Sequence, residues 1–135
     1  MIDPKKPIFT QERTVTHDEI DNLNHVNNVV YVVWANEIAV AHWTTTAPQE
    51  LLDTYGWFMI KHCIEYKKEA FLGDEILIKT QTGRATNVRY ERFIEIYNKS
   101  TMELLAKTTS DWCCIDKQGK PVRISDEMRA IFETS

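Results

Sequence analysis

Apolar and polar positions fall into blocks along the chain, and the period of each block predicts its element. Ile8 to Thr16 reads as a first strand and His17 to Val26 as a polar loop. From about Asn28 to Thr44 the chain is almost wholly apolar for seventeen residues without a breaker. The VVYVV run inside it is rich in β-branched residues, which favour strands, but the segment is too long for a typical strand, so a helix is expected. Asparagine at its entrance suits an N-cap, where the side-chain oxygen accepts an otherwise orphaned backbone N–H. A helix apolar on nearly every side belongs in the middle of a fold.

Pro48 to Tyr55 predicts a short second helix, with Pro48 near its start and Gly56 just past its end. Strands follow. In WFMIKHCIEY, Phe58, Ile60, Ile64 and Tyr66 alternate with Met59, Lys61, Cys63 and Glu65, which is period two with the first set facing inward. Glu75 to Thr82 follows a turn at Gly73-Asp74, Val88 to Tyr97 follows another near Gly83, and Met102 to Ile115 forms a long strand. In that strand Met102, Leu104, Ala106, Trp112 and Cys114 share a face opposite Glu103, Lys107 and Asp111. Gly119-Lys120-Pro121 makes a turn, and Ser125 with Asp126 and Glu127 opens a terminal helix. One strand, a long buried helix and four hairpin-type strands are satisfied by an α+β fold, an antiparallel sheet wrapped around one central helix.

Composition narrows the function classes. At 135 residues, 43% hydrophobic and 27% charged, the chain has the size of a single domain, spanning 1–135, with a real core. A net charge of -4 lacks the basic footprint of a nucleic-acid binder. No apolar run reaches membrane-spanning length, and the N-terminus carries no signal-type stretch, so a cytoplasmic protein is expected, with neither nucleic acid nor membrane as partner. Cys63, Cys113 and Cys114 are an odd number without metal-site or disulfide spacing and read as buried reduced thiols.

The order of elements, together with the string Asp21-x-x-x-His25-Val26-Asn27-Asn28-x-x-Tyr31-x-x-Trp34, resembles the hot-dog fold acyl thioesterases, specifically the 4-hydroxybenzoyl-CoA thioesterase group and the related acyl-carrier-protein thioesterases. The likeness continues in Ile64-Glu65-Tyr66 with Ala70 and Asp74, and in Trp112-Cys113-Cys114-Ile115-Asp116 leading to Gly119-Lys120-Pro121. One departure is Asn24, where many relatives have glycine. The resemblance implies hydrolysis of an acyl-CoA or acyl-ACP thioester without metal or organic cofactor. It also implies a substrate slot between subunits of a homodimer, or of a homotetramer built from two such dimers.

Thioester hydrolysis needs a group that attacks the carbonyl carbon or deprotonates water there, and donors that hold the developing oxyanion. The resemblance places the acid at Asp21, as nucleophile through a mixed anhydride or as general base. The helix N-terminus supplies unpaired N–H groups and the positive end of its dipole, with the backbone at Asn27 or Asn28 as donor. His25 either orients the acid, donates to the carbonyl or bonds the loop backbone. Tyr31 and Trp34, at helical spacing, are core or pocket wall, with acyl contact open to either.

Other groups enter as lesser candidates. Glu37, on the buried helix, is an alternative acid, since a second hot-dog thioesterase group places its acid on this helix. His62 reads as a hydrogen-bonded core histidine, and Asp18 and Glu19 as solvation of the loop. Lys67, Lys68, Arg84, Arg89 and Arg92 read as an exposed cationic face, open to contact with coenzyme A phosphates. A non-catalytic hot-dog module that binds an acyl thioester is the competing reading.

Overall fold

The structure, a computed structural model, describes residues 2–134. Strand β1 (Phe9–Thr14) leads through a single 3-10 turn (His17–Glu19) and a loop to helix α1 (Asn28–Thr46). Helix α2 (Gln49–Thr54) runs into β2 (Tyr55–Tyr66), followed by β3 (Glu75–Ala85), β4 (Arg89–Asn98), β5 (Leu104–Asp116) and helix α3 (Asp126–Thr134). The strands form one antiparallel sheet in the order β1-β3-β4-β5-β2, leaving β1 and β2 at the edges.

Helix α1 lies against the sheet through Tyr31, Trp34, Ala35, Ile38, Ala39, His42 and Trp43, spaced as one helical stripe. Tyr31, Trp34, Ala35 and Ile38 meet Ile76, Ile78, Ile94 and Ile96 in the main core. A second core gathers Trp43, Tyr90, Cys114, Met128 and Phe132 where α3 closes the far end of the sheet. Burial is not all-round as the composition of α1 suggested: Val29, Val33 and Val40 stand exposed on its outer side within the isolated chain. Glu37 shares that outer side, is half exposed, and accepts a hydrogen bond from Arg13 at 3.0 Å, so it is not a buried helix acid.

Strand β2 departs from simple alternation. Its pairing with β5 shifts register between Met59 and Lys61, an irregularity that changes which side successive residues face. Phe58 and Ile60 are therefore exposed, at 60% and 44%, while Trp57, Met59, His62 and Ile64 turn inward. Tyr66 and Cys63 are also exposed, so only Cys113 and Cys114 are buried thiols. Burial pushes the Cys114 thiol up to about 11, which keeps it protonated and inert. Met102 sits at φ 59 in the turn before β5 and is exposed, so it does not join the inner face of that strand. The inner face of β5 runs through Ala106, Thr108, Ser110, Trp112 and Cys114.

His62 is half-buried, and neither ring nitrogen has a hydrogen-bond partner among the described residues, in contrast to the bonded core histidine expected. Burial holds its pKa below the ordinary 6.5. The folded chain therefore resists protonation here while the unfolded chain accepts it. This contribution to stability is complete above about pH 6.5 and is lost as pH falls toward the lowered folded value. Urea midpoints of the parent are expected to fall more steeply between about pH 7.5 and about pH 5.5 than those of His62→Leu; equal slopes would contradict the assignment.

Candidate functional site

The loop before α1 is fixed from below by Glu19. Thr16 and Glu19 form a capping box around the 3-10 turn, with the Thr16 N–H donating to Glu19 Oε1 at 2.9 Å. The other carboxylate oxygen accepts from Trp34 Nε1 at 2.8 Å and pairs with Arg13 Nη2 at 3.3 Å, and the Arg13 guanidinium lies over the Trp34 ring. The Glu19 carbonyl accepts the Asn27 N–H at 3.0 Å, which ties the loop to the helix entrance. Glu19 is thus an anchor rather than a solvating loop acid, and Trp34, fully buried, is committed to it.

Above this anchor, Ile20 and Val26 form a β-bridge and enclose Asp21 to His25 as a tight turn. The Asp21 N–H donates to the His25 carbonyl, and the Asn24 N–H donates to the Asp21 carbonyl. Asn24 closes the turn at φ 66, a left-handed conformation that favours glycine and that asparagine tolerates better than most other residues, which accounts for the departure from the glycine common at this place. Asp21 Oδ1 accepts from the Leu23 N–H at 2.9 Å and stands 3.9 Å from His25 Nδ1. His25 Nδ1 is also 3.2 Å from the Val26 carbonyl oxygen.

At the helix entrance Asn27 is the N-cap, its Oδ1 accepting the Val29 N–H at 3.0 Å. Its carbonyl accepts the Val30 N–H. The Asn28 N–H is left without an acceptor among the described residues, a donor at the positive end of a nineteen-residue helix.

A groove of about 250 Å³ opens at this point, walled by His25, Asn28, Tyr31, Tyr66, Lys67 and Lys68. Tyr66 donates from its hydroxyl to the Asn28 carbonyl at 2.9 Å and meets Tyr31 edge-on at 5.5 Å. Burial pushes the Tyr31 phenol up to about 12, so it stays neutral. Lys68 pairs with Glu103 and Lys67 lies 3.8 Å from Glu65, both at the exposed rim.

Of the residues expected in a site, the groove gathers His25, Asn28 and Tyr31 directly. Asp21 and Asn27 border the same entrance without forming its wall, Asp21 reaching it through His25. Trp34 lies behind the wall, in the core. Tyr66 was the missing member; the signal lay in its place at the end of β2, opposite the helix entrance. Among the cations read as a solvated face, Arg84 and Arg89 are exposed, with Arg89 paired to Asp111 at 2.8 Å. Arg92 is the exception, since it is buried at 5% exposure.

A five-stranded antiparallel sheet carrying one long helix, with a groove at the N-terminus of that helix, defines a hot-dog domain. The chain belongs to the thioesterase-like superfamily, whose family model matches residues 15–132. None of the curated proteins matches it. Among solved structures it is similar to a 1,4-dihydroxy-2-naphthoyl-CoA thioesterase from Synechocystis, with 18% identity, 93% of this chain and 96% of that chain covered, and a TM-score of 0.81. It is also similar to YbaW, described as a probable thioesterase, from Escherichia coli (20% identity, 90% and 94% covered, TM-score 0.77). A third match is a hypothetical protein from Staphylococcus aureus in complex with CoA (18% identity, 93% and 82% covered, TM-score 0.82). Family membership supports thioester hydrolysis as the general chemistry, on the fold that these structures share.

Proposed function

We propose that the chain hydrolyses an acyl thioester of coenzyme A or of acyl carrier protein, using Asp21 as nucleophile or general base and the Asn28 backbone N–H to polarise the thioester carbonyl. The observation that carries this reading is the uncommitted Asn28 N–H at the mouth of a groove that His25 joins to Asp21. An N–H fixed by a capped helix needs no reorganisation when the carbonyl oxygen takes on charge, which is what makes such a donor effective. His25 is the positioning residue between acid and groove, and Asn27 holds the helix entrance. Tyr31 with Tyr66 supplies an apolar wall, and Trp34 supports the loop from behind through Glu19. Lys67 and Lys68 at the rim suit the phosphates of coenzyme A, and the match to a protein solved in complex with CoA favours that carrier. No metal or organic cofactor takes part in the proposed chemistry.

A competing reading, a module that binds an acyl thioester without cutting it, is favoured by one detail: Asp21 Oδ1 accepts from its own loop at Leu23. Purified protein assayed against a panel of acyl-CoAs with a thiol-trapping dye separates the two. Thiol release from at least one member supports the hydrolase, and saturable binding without release from any member supports the module.

The proposed working unit is a homodimer or a homotetramer of such dimers. Edge strand β2 exposes Phe58 and Ile60, and α1 exposes Val29, Val33 and Val40, apolar faces of the kind that association covers. Light scattering on the parent is expected to give a dimer or tetramer, and Ile60→Lys is expected to shift it toward monomer. A monomeric parent at micromolar concentration, or an unshifted Ile60→Lys, would contradict this interface.

A further inference from the structure

The far end of the sheet holds a second cavity, of about 90 Å³, walled by Trp43, Trp57, Tyr90, Trp112, Phe132 and Arg92. Val40 stands at its mouth and is half exposed. Val40 and Asn28 are twelve residues apart on one helix, so the cavity lies about 18 Å from the groove at the helix entrance of the same chain. None of the residues assigned above to the thioester chemistry lines it.

Its walls are aromatic, with Trp43 against Trp57, and Phe132 against Trp57 and Tyr90, at ring separations of 5.3 to 5.9 Å. The polar part is unusual. Register across the sheet puts Thr82, Arg92, Ser110 and His62 in one row on the inner face, and Ser110 Oγ is taken by Trp112 Nε1 at 2.9 Å. Arg92 is 5% exposed, yet no carboxylate pairs with it among the described residues.

Among the described residues both side-chain hydrogen bonds of Arg92 use Nη1, one with Thr80 Oγ1 at 2.9 Å and one with His42 Nδ1 at 3.1 Å. A guanidinium carries five N–H donors, so its Nη2 and Nε sides retain capacity for an acceptor. Trp57 Nε1 is a further buried donor on this wall without an acceptor among the described residues. The only carboxylate on the wall, Glu91, sits against Gly83 and accepts the Arg84 N–H with its Oε1.

A buried cation without an anion is unfavourable, and here its one aromatic partner among the described residues is the Phe132 ring, 5.6 Å from the guanidinium carbon, while burial draws the Arg92 pKa down to about 10. An anionic oxygen delivered by a ligand relieves it. The planar fork of a guanidinium matches a carboxylate best, and the surrounding rings match a flat or compact apolar body.

We propose that this cavity is a binding site for a small apolar carboxylic acid, carrying a single ring or a short branched chain, whose carboxylate is held by Arg92 and Trp57 Nε1 while its body lies among Trp43, Trp112 and Phe132. Neither Asp21, His25 nor Asn28 lines the site, and its test reads binding alone.

Three of the four tryptophans line the cavity, so intrinsic fluorescence reports occupancy. The 135-residue chain is titrated with benzoate and with benzamide, a neutral probe of nearly the same shape. Saturable quenching by benzoate, with an affinity about tenfold or more above that for benzamide, is the expected result. Arg92→Met keeps an apolar stem of similar length and is expected to remove the preference for benzoate, with the far-ultraviolet circular dichroism of the parent. Trp57→Phe keeps a ring on the wall, removes the second donor and leaves Trp43 and Trp112 as reporters; it is expected to weaken the preference for benzoate without touching Arg92, so the test stands even where Arg92→Met does not fold. Equal affinity for the two probes, absence of saturable quenching by benzoate, or an undiminished preference for benzoate in Trp57→Phe would overturn the proposal.

Discussion

Asp21→Asn is expected to lower thioester turnover by about a hundredfold to ten-thousandfold, the range over which a positioned acid or base acts, while substrate affinity changes little. Asparagine keeps the size of the side chain and its amide oxygen, so the bond from the Leu23 N–H and the turn closed by Asn24 survive. What disappears is the negative charge and the ability to attack a carbonyl or accept a proton. A variant that turns over like the parent assigns the chemistry elsewhere. One that loses affinity and turnover together assigns Asp21 to folding of the loop. Steady-state kinetics with thiol detection, compared with the circular dichroism of the two proteins, distinguishes these cases.

Trp34→Ala is expected to be the most damaging single truncation in this part of the core, at about 3–5 kcal/mol, with a fall in Tm of roughly 10 °C or more. Trp34 is fully buried between the isoleucines of the sheet and the loop. Its removal opens a cavity and also takes from Glu19 the donor at 2.8 Å, and with it the platform on which Arg13 stacks. Trp34→Phe fills most of the space but cannot donate, so its expected loss is smaller, about 1–3 kcal/mol. If the two variants lose the same stability, the indole N–H rather than volume governs the site. If Trp34→Phe loses nothing, Glu19 does not depend on Trp34.

Much of this arrangement is legible in the sequence because the relevant signals are local. Helix α1 announces itself by length and by Asn27, whose capping role is fulfilled through Val29. The loop from Asp21 to Asn28 is recognisable because short-range turn chemistry places those residues beside the helix entrance, whatever the rest of the chain does.

The misreadings come from events that period and composition do not carry. One irregular register step near Ile60 turns Phe58 and Ile60 outward, although strict alternation would have kept them with Ile64. An all-apolar helix suggested full burial, yet one sheet covers only one side of it and leaves Val29, Val33 and Val40 outside. Glu19 looked like loop solvation because its partners, Arg13 and Trp34, come from a strand and a helix that meet only in the fold. Arg92 was legible in principle, since Tyr90, Ile94 and Ile96 share its phase on β4 and all are buried. The charge outweighed the phase in a reading by residue type, and the phase was the better guide.

The most direct test of a thioester held between Asp21 and the helix entrance is an amide titration by NMR, using an acyl-CoA analogue in which carbon replaces the thioester sulfur and the carbonyl is retained. The Asn28 amide proton is expected to move downfield, among the largest changes in the spectrum, as its N–H takes up the carbonyl oxygen. Saturable binding that leaves the Asn28 amide where it was would contradict the account.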